Sequence, residues 1–486
     1  MVFSNAVFLF VFLPLTLLGY FLLSKTVLRN YWLLVVSLLF YLWGKPKYVF
    51  ILIISMCINY CGARLVALVK SQRAAKLAVG VTVVGNLLLL YYFKYFNFSI
   101  EVLNDLFRTN INVNEVLLPV GISFFTFQGI SYVIDVYRKD VPVQNNFAKF
   151  AMYISMFPQL VAGPIVRYKD IAKEIDDRSI SLDDVTEGIQ RFIIGLSKKV
   201  IVADSLAVTA DSIFGMSPAN NSIPVAWLGV VCYSLQIFFD FAGYSDMAIG
   251  MGRMLGFHFI ENFNYPYISK SITEFWRRWH ISLSSFFRDY IYIPLGGNRK
   301  HTYLNVAIVF MLTGIWHGAA YTFVLWGIWH GIFNIAEKYF RGKDKAKGQK
   351  ADSRIVVIWK HMYTLLVVMI GWILFRADSL SYAWQYILSL IGLQRAGMPA
   401  FDVWWYLDRW TLLILGFALV FATPAATKIS MAVKNRLHEN GWIITKYVTL
   451  LALLFLCVLR VASTKYHDVK NSVYPTHVYK LKAKTQ

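Results

Sequence analysis

The chain has 486 residues, 57% of them hydrophobic and only 15% charged, with a mean hydropathy of +0.52. Soluble globular proteins carry about a quarter charged residues, so this composition excludes an ordinary soluble enzyme and places the polypeptide in a bilayer. The net charge of +21 would suit nucleic acid, but the basic residues concentrate in short loops, as any multipass protein requires, and no nucleic-acid partner is expected.

A crossing helix needs roughly 20 mostly apolar residues. The first candidate, within 5–24, has no positive flank before it and no small-residue cleavage site after it, so it reads as a retained span. Further windows follow at 31–44, 48–69, 77–98, 116–136, 147–166, 187–208, 225–256, 303–316, 319–336, 355–375, 410–427 and 442–462. Their unequal lengths predict about 11–13 membrane segments, some re-entrant or broken. Arg64, Lys70, Arg73 and Lys76 form one acid-free cluster; Lys338, Arg341, Lys343, Lys345, Lys347, Lys350 and Arg354 form another. Both are assigned to the cytoplasm, which puts the N-terminus outside if the first three windows each cross once. The second cluster is also suited to anionic lipid. Cys57, Cys61, Cys232 and Cys457 all lie in apolar segments and suggest neither a zinc site nor a disulfide framework. The whole chain, 1–486, reads as one integral-membrane domain, with its chemistry in 236–331 and a basic cytoplasmic loop at 338–354.

Polar groups crowd into membrane-like sequence between 236 and 331, where they tend to face cavities or one another. In QIFFDFAGYSDMAIGMGRMLGF, Asp240 and Asp246 share an apolar helix with Gly243, Gly250 and Gly252. The glycines permit close packing, and the aspartates read as bonding hydroxyls and helix ends inside the bundle. In SKSITEFWRRWHISLSSFFRDYIYIPLGGNRK, Ser271 and Glu274 have capping-box spacing, so a helix starts near Ser271. Ile272, Phe275, Trp276, Trp279 and Leu283 form its apolar stripe, which predicts an interfacial helix with tryptophans at headgroup level and Arg277 and Arg278 toward water. His280 lies at the edge of that stripe. Pro294, Gly296 and Gly297 end the helical reading.

The pentapeptide GIWHG then occurs twice in LTGIWHGAAYTFVLWGIWHG, with His317 and His330 13 positions apart. On one straight helix they would be separated by about 20 Å along the axis and about 220° around it, too far to share a reacting atom. Gly314, Gly318 and Thr313 make a break plausible at the first copy, whereas the second lies in a continuous apolar run. His330 therefore reads as a packed core residue.

These segments resemble the membrane-bound O-acyltransferase (MBOAT) family. FWRRWHISLSSFFRDYIYIPLGGNRK followed by LTGIWHGAAYTFVLWG is similar to the membrane subunit of alginate-type polysaccharide O-acetyltransferases. MVFSNAVFLFVFLPL, LPVGISFFTFQGISYVIDVYR and MFPQLVAGPIVRY resemble the same branch. The likeness covers most of 1–339; beyond about residue 340 it is mainly hydropathy. It implies an all-α polytopic bundle of tilted helices around a transmembrane tunnel, a catalytic histidine at His317, and an upstream polar residue at His280. It further implies acetyl-CoA as acyl donor rather than a bound cofactor, a polysaccharide acceptor outside the cytoplasm, and an extracytoplasmic partner of the SGNH hydrolase-like type.

The chemistry is compatible. A neutral imidazole can take the proton of an attacking alcohol at neutral pH, and burial disfavours imidazolium. The developing oxyanion needs donors, for which His280, Trp316 and backbone N–H groups are the candidates. No nucleophile elbow or Ser-His-Asp order appears. Two alternatives remain open: D-alanyl transfer toward teichoic acids in the same fold, and a non-catalytic transporter or secretion scaffold. Against the scaffold, no inverted repeat of broken helices is evident.

Overall fold

The structure, a computed structural model, describes residues 3–44, 46–161, 163–345, 353–393 and 401–473. Regular structure among them is helical throughout. Among the described residues five helices are long and apolar enough to cross a membrane: Pro46–Leu68, Gln72–Phe107, Ile223–Met254, Arg354–Arg376 and Glu439–Ser463. Arg409–Phe421 and Ala425–Arg436 meet at 81° and together make a broken sixth, while Phe8–Leu22, Thr26–Leu42 and Thr302–His317 are apolar but shorter. Many of the 11–13 expected segments are thus present as helices too short, bent or broken to cross alone. The 147–166 window is one of these. It divides into Phe147–Ser155 and Phe157–Leu160 around a non-helical Met156, with Pro158 in the first turn of the second piece, where its missing N–H costs no helical bond.

Ile223–Met254 is the central helix. Of its apolar window 67% is buried within the protein, against 11% for Glu439–Ser463, so the first is surrounded by protein and the second faces lipid. Against it packs a helical run over 182–214, interrupted by one wide turn at Lys198–Ala203. The two run antiparallel with glycine facing glycine. A Cβ on Gly195 would come within 2.6 Å of the Gly243 carbonyl oxygen, and one on Gly250 within 2.6 Å of the Gly188 carbonyl oxygen. Such an approach places charged side chains of one helix directly on the other. Asp246 pairs with Lys198 and Arg191, each at 2.6 Å, and Asp240 with Lys199 at 2.8 Å. The aspartates therefore bind basic side chains of the neighbouring helix, not hydroxyls and helix ends as the sequence suggests. Asp246 is buried and Asp240 is not, and a buried carboxylate is tolerated only with charge pairing of this kind. At the polar start of the 182–214 run, the Ser181 hydroxyl and N–H donate to Asp184 and hold its carboxyl below the usual range.

The expected interfacial helix is also corrected. Ser271 does cap a helix, its hydroxyl accepting the Glu274 N–H at 3.0 Å, but the helix is only Ile272–Arg278. Trp276 and Trp279 lie in the protein core with Trp326 and Trp372, and only Arg277 is exposed. The Glu337 carboxylate accepts the N–H groups of Ile272 and Thr273, which draws the helix start into the bundle. The basic stretch read as a loop over 338–354 begins as helix: Tyr321–Lys345 is continuous, 346–352 lie outside the described residues, and the next helix starts at Arg354.

Candidate active site

The two GIWHG copies lie on the two arms of a helical hairpin, Thr302–His317 and Tyr321–Lys345. The first glycine of each copy makes the contact: a Cβ on Gly314 would meet Gly327 Cα at 3.1 Å and the Phe323 carbonyl oxygen at 2.4 Å. The first arm ends at His317, where Gly318 turns to an extended backbone. A helix end leaves carbonyls without intrahelical donors. Here Tyr95 Oη donates to the Ile315 carbonyl at 3.0 Å, and Lys94 Nζ donates to the Trp316 carbonyl and, at 2.9 Å, to Ser123 Oγ. His317 is thereby held at a helix terminus, its ring edge-to-face with Trp326 at 4.9 Å and Phe375 at 5.3 Å. Its Nε2 is buried and has no hydrogen-bond partner.

His280 reaches the same place from another direction. Between the Ile272–Arg278 and Ile281–Phe287 helices the backbone turns through His280 with φ +46°, the left-handed region uncommon for a residue with a side chain. The turn is held by the Ile281 N–H donating to the Asn262 carbonyl at 2.9 Å and by His280 Nδ1 lying 3.1 Å from Asn262 Oδ1. The ring stands edge-on to Phe241 at 4.7 Å, and its Nε2 is buried without a partner.

His280 and His317, 37 positions apart (317 − 280), line one cavity of about 490 Å³. Its wall also carries Lys94, Asp240, Tyr244, Trp316 and Trp326, along with the 118–124 segment. The Nε1 atoms of Trp316 and Trp326 and Tyr244 Oη are buried and unbonded. Polar atoms without protein partners at a cavity wall are free to bond what enters the cavity, which makes this wall the candidate site.

His330 is not in that wall. It is fully buried, edge-to-face with Trp276 and Trp326 at 5.1 Å each, and so close to Gly371 that a Cβ there would lie 2.6 Å from Nε2. Both its ring nitrogens are also without partners, so what separates it from His317 is packing: it is a core residue with no part in the cavity wall. Lys94, Tyr244 and Asn262 enter only with the structure. Lys94 carries a usable sequence signal, a lone cation in the apolar run LLLLYYFKYF; Asn262 carries none.

A helical membrane protein with two imidazoles and several unpaired donors around one cavity has groups that could serve proton-coupled group transfer. Residues 141–377, which include both histidines, match the family model described as MBOAT, membrane-bound O-acyltransferase family. The chain is 42% identical over 452 residues to the probable alginate O-acetylase of Pseudomonas aeruginosa, across 90% of this chain and 85% of that one. It is 32% identical over 499 residues to the peptidoglycan O-acetyltransferase of Helicobacter pylori, across 93% and 94%. With the teichoic acid D-alanyltransferase of Bacillus subtilis it shares 29% identity over 272 residues, across 53% and 68%. The chain belongs to the membrane-bound O-acyltransferase family. It is a multi-pass cell-membrane protein and an O-acyltransferase.

Proposed function

We propose that this enzyme takes an acetyl group from acetyl-CoA on the cytoplasmic side and delivers it for O-acetylation of a polysaccharide outside, with His317 as general base and His280 beside it. The observation that carries the reading is the convergence of two buried, unpartnered Nε2 atoms on one cavity. Relatives matched along nine-tenths of this chain are an alginate O-acetylase and a peptidoglycan O-acetyltransferase by name, whereas the D-alanyl-transferring relative matches about half.

The chemistry is direct. The acceptor oxygen attacks the thioester carbonyl carbon as its proton passes to His317, a bond forms between oxygen and acetyl carbon, and the carbon–sulfur bond breaks. The thiolate then takes the proton back from the imidazolium and leaves as free CoA. A general base of this kind contributes about 10²–10⁴-fold. A pocket of about 490 Å³ is of small-ligand size. It has room for the acetyl thioester end and one hydroxyl at a time, whichever macromolecule presents it. In this reading the hydroxyl belongs to an extracytoplasmic SGNH-type partner that relays the acetyl group to the polymer.

The test is release of CoA from radiolabelled acetyl-CoA by the purified protein in lipid nanodiscs, with and without polymer and partner. Acetyl-dependent CoA release abolished by His317→Ala is the expected result. Binding without turnover would instead favour a scaffold, and turnover only with a D-alanyl carrier protein would favour D-alanyl transfer.

A further inference from the structure

The hydrogen bonds around Asn262 determine what His280 can offer a substrate. Asn262 is buried, and its Oδ1 faces three groups: the Ser282 N–H at 3.3 Å, Ser282 Oγ at 2.9 Å and His280 Nδ1 at 3.1 Å. A backbone N–H can only donate, so the amide atom facing it must be the oxygen. At the other end Asn262 Nδ2 donates to Ser245 Oγ at 3.1 Å. Ser282 Oγ already accepts the Ile165 N–H at 3.0 Å, and its own hydrogen has two acceptors in reach, Asn262 Oδ1 at 2.9 Å and His280 Nδ1 at 3.3 Å, of which the amide oxygen is the nearer. An amide oxygen has no hydrogen, and a bare Nδ1 only 3.1 Å from it would set two lone pairs against each other, so the arrangement of lower energy carries the proton on the ring. The partner of one ring nitrogen decides the state of the other.

We infer that Asn262 is a positioning residue that holds neutral His280 as the Nδ1–H tautomer, so that Nε2 presents a lone pair, not an N–H, to the cavity. This goes beyond the acyl-transfer reading and rests on it only for its catalytic consequence. His280 then accepts a hydrogen bond from a substrate O–H or N–H and does not donate to the oxyanion. The oxyanion falls to groups that do carry hydrogens, of which the Trp316 indole N–H is buried, unbonded and in the same wall. The cavity is thereby divided into an accepting side and a donating side. His280, which the sequence offers as one candidate oxyanion donor, takes the accepting side.

The test reads the tautomer without needing turnover. Full-length protein carrying ¹⁵N-histidine is placed in lipid nanodiscs near pH 8, well above the ordinary histidine pKa of about 6.5. The His280 signals are assigned by their loss in His280→Gln. The expected spectrum shows Nδ1 protonated and Nε2 bare. In Asn262→Leu the His280 pattern should shift toward the other tautomer, and kcat for CoA release should fall, by up to the roughly 10⁴-fold that a wrong tautomer costs a catalytic imidazole. A protonated Nε2 in the unsubstituted protein would overturn the inference, whether or not Asn262→Leu folds. So would an Asn262→Leu protein that keeps both tautomer and kcat. If the unsubstituted protein releases no CoA, the acyl-transfer reading fails while the tautomer result stands on its own.

Discussion

The same five residues, GIWHG, do two different things in this protein. In the first copy the helix stops at the histidine, whose Nε2 is left bare at a cavity; in the second the helix continues and the histidine is sealed between Trp276 and Trp326. The glycines, by contrast, act alike, since Gly314 and Gly327 press the two arms together. A motif's chemistry thus depends on where its helix ends. An imidazole inside a continuous helix and a packed core has no space for substrate, whereas one at a terminus can border a void.

Removing each imidazole in turn separates the two copies most strongly. His317→Ala should lower acetyl transfer by about 10²–10⁴-fold at matched membrane levels, and His317→Asn should not rescue it, because an amide cannot take the proton. His330→Ala should instead lower stability by about 2–5 kcal/mol through the cavity it leaves. That loss is to be read as a thermal shift in detergent, with turnover per folded molecule near the unsubstituted value. If His330→Ala stays folded and loses turnover as His317→Ala does, the two copies are not distinguished as described. A smaller effect on rate tests the donating side of the cavity. Trp316→Phe keeps an aromatic ring and deletes the N–H, so kcat should fall by about 10²–10³-fold with KM nearly unchanged. An unaltered kcat would remove Trp316 from the oxyanion.

Weaker still is the effect expected at the second copy's neighbour. Gly371→Ala places a methyl group against His330, and overpacking of this kind costs about 1–3 kcal/mol. A lower midpoint of thermal unfolding with retained activity is the expected pair of results. The last test fixes the orientation of the hairpin without disturbing it. A cysteine at Lys345, the end of the helix that carries the second copy, should resist an impermeant thiol reagent in intact cells and react after permeabilisation. Labelling from outside would invert the topology.

Much of this protein is determined by sequence alone, because its physical causes are local. Apolar runs must be helical in lipid, since only internal hydrogen bonding satisfies the backbone there. The Ser271 cap follows from neighbours three residues apart, and the break after the first GIWHG from the glycine beyond His317. Contacts between distant segments are beyond that reach. Nothing local distinguishes a tryptophan at a membrane surface from one in a core, yet Trp276 and Trp279 are in the core. Nor can spacing show that Lys198 and Arg191 find Asp246, or that Asn262 Oδ1 lies against His280 Nδ1. Those pairings exist because glycines let two helices approach and because a left-handed turn at His280 swings its ring toward a helix end 37 positions on (317 − 280). Hydropathy reports how much of a segment leaves water; only packing decides which atoms are left facing a void.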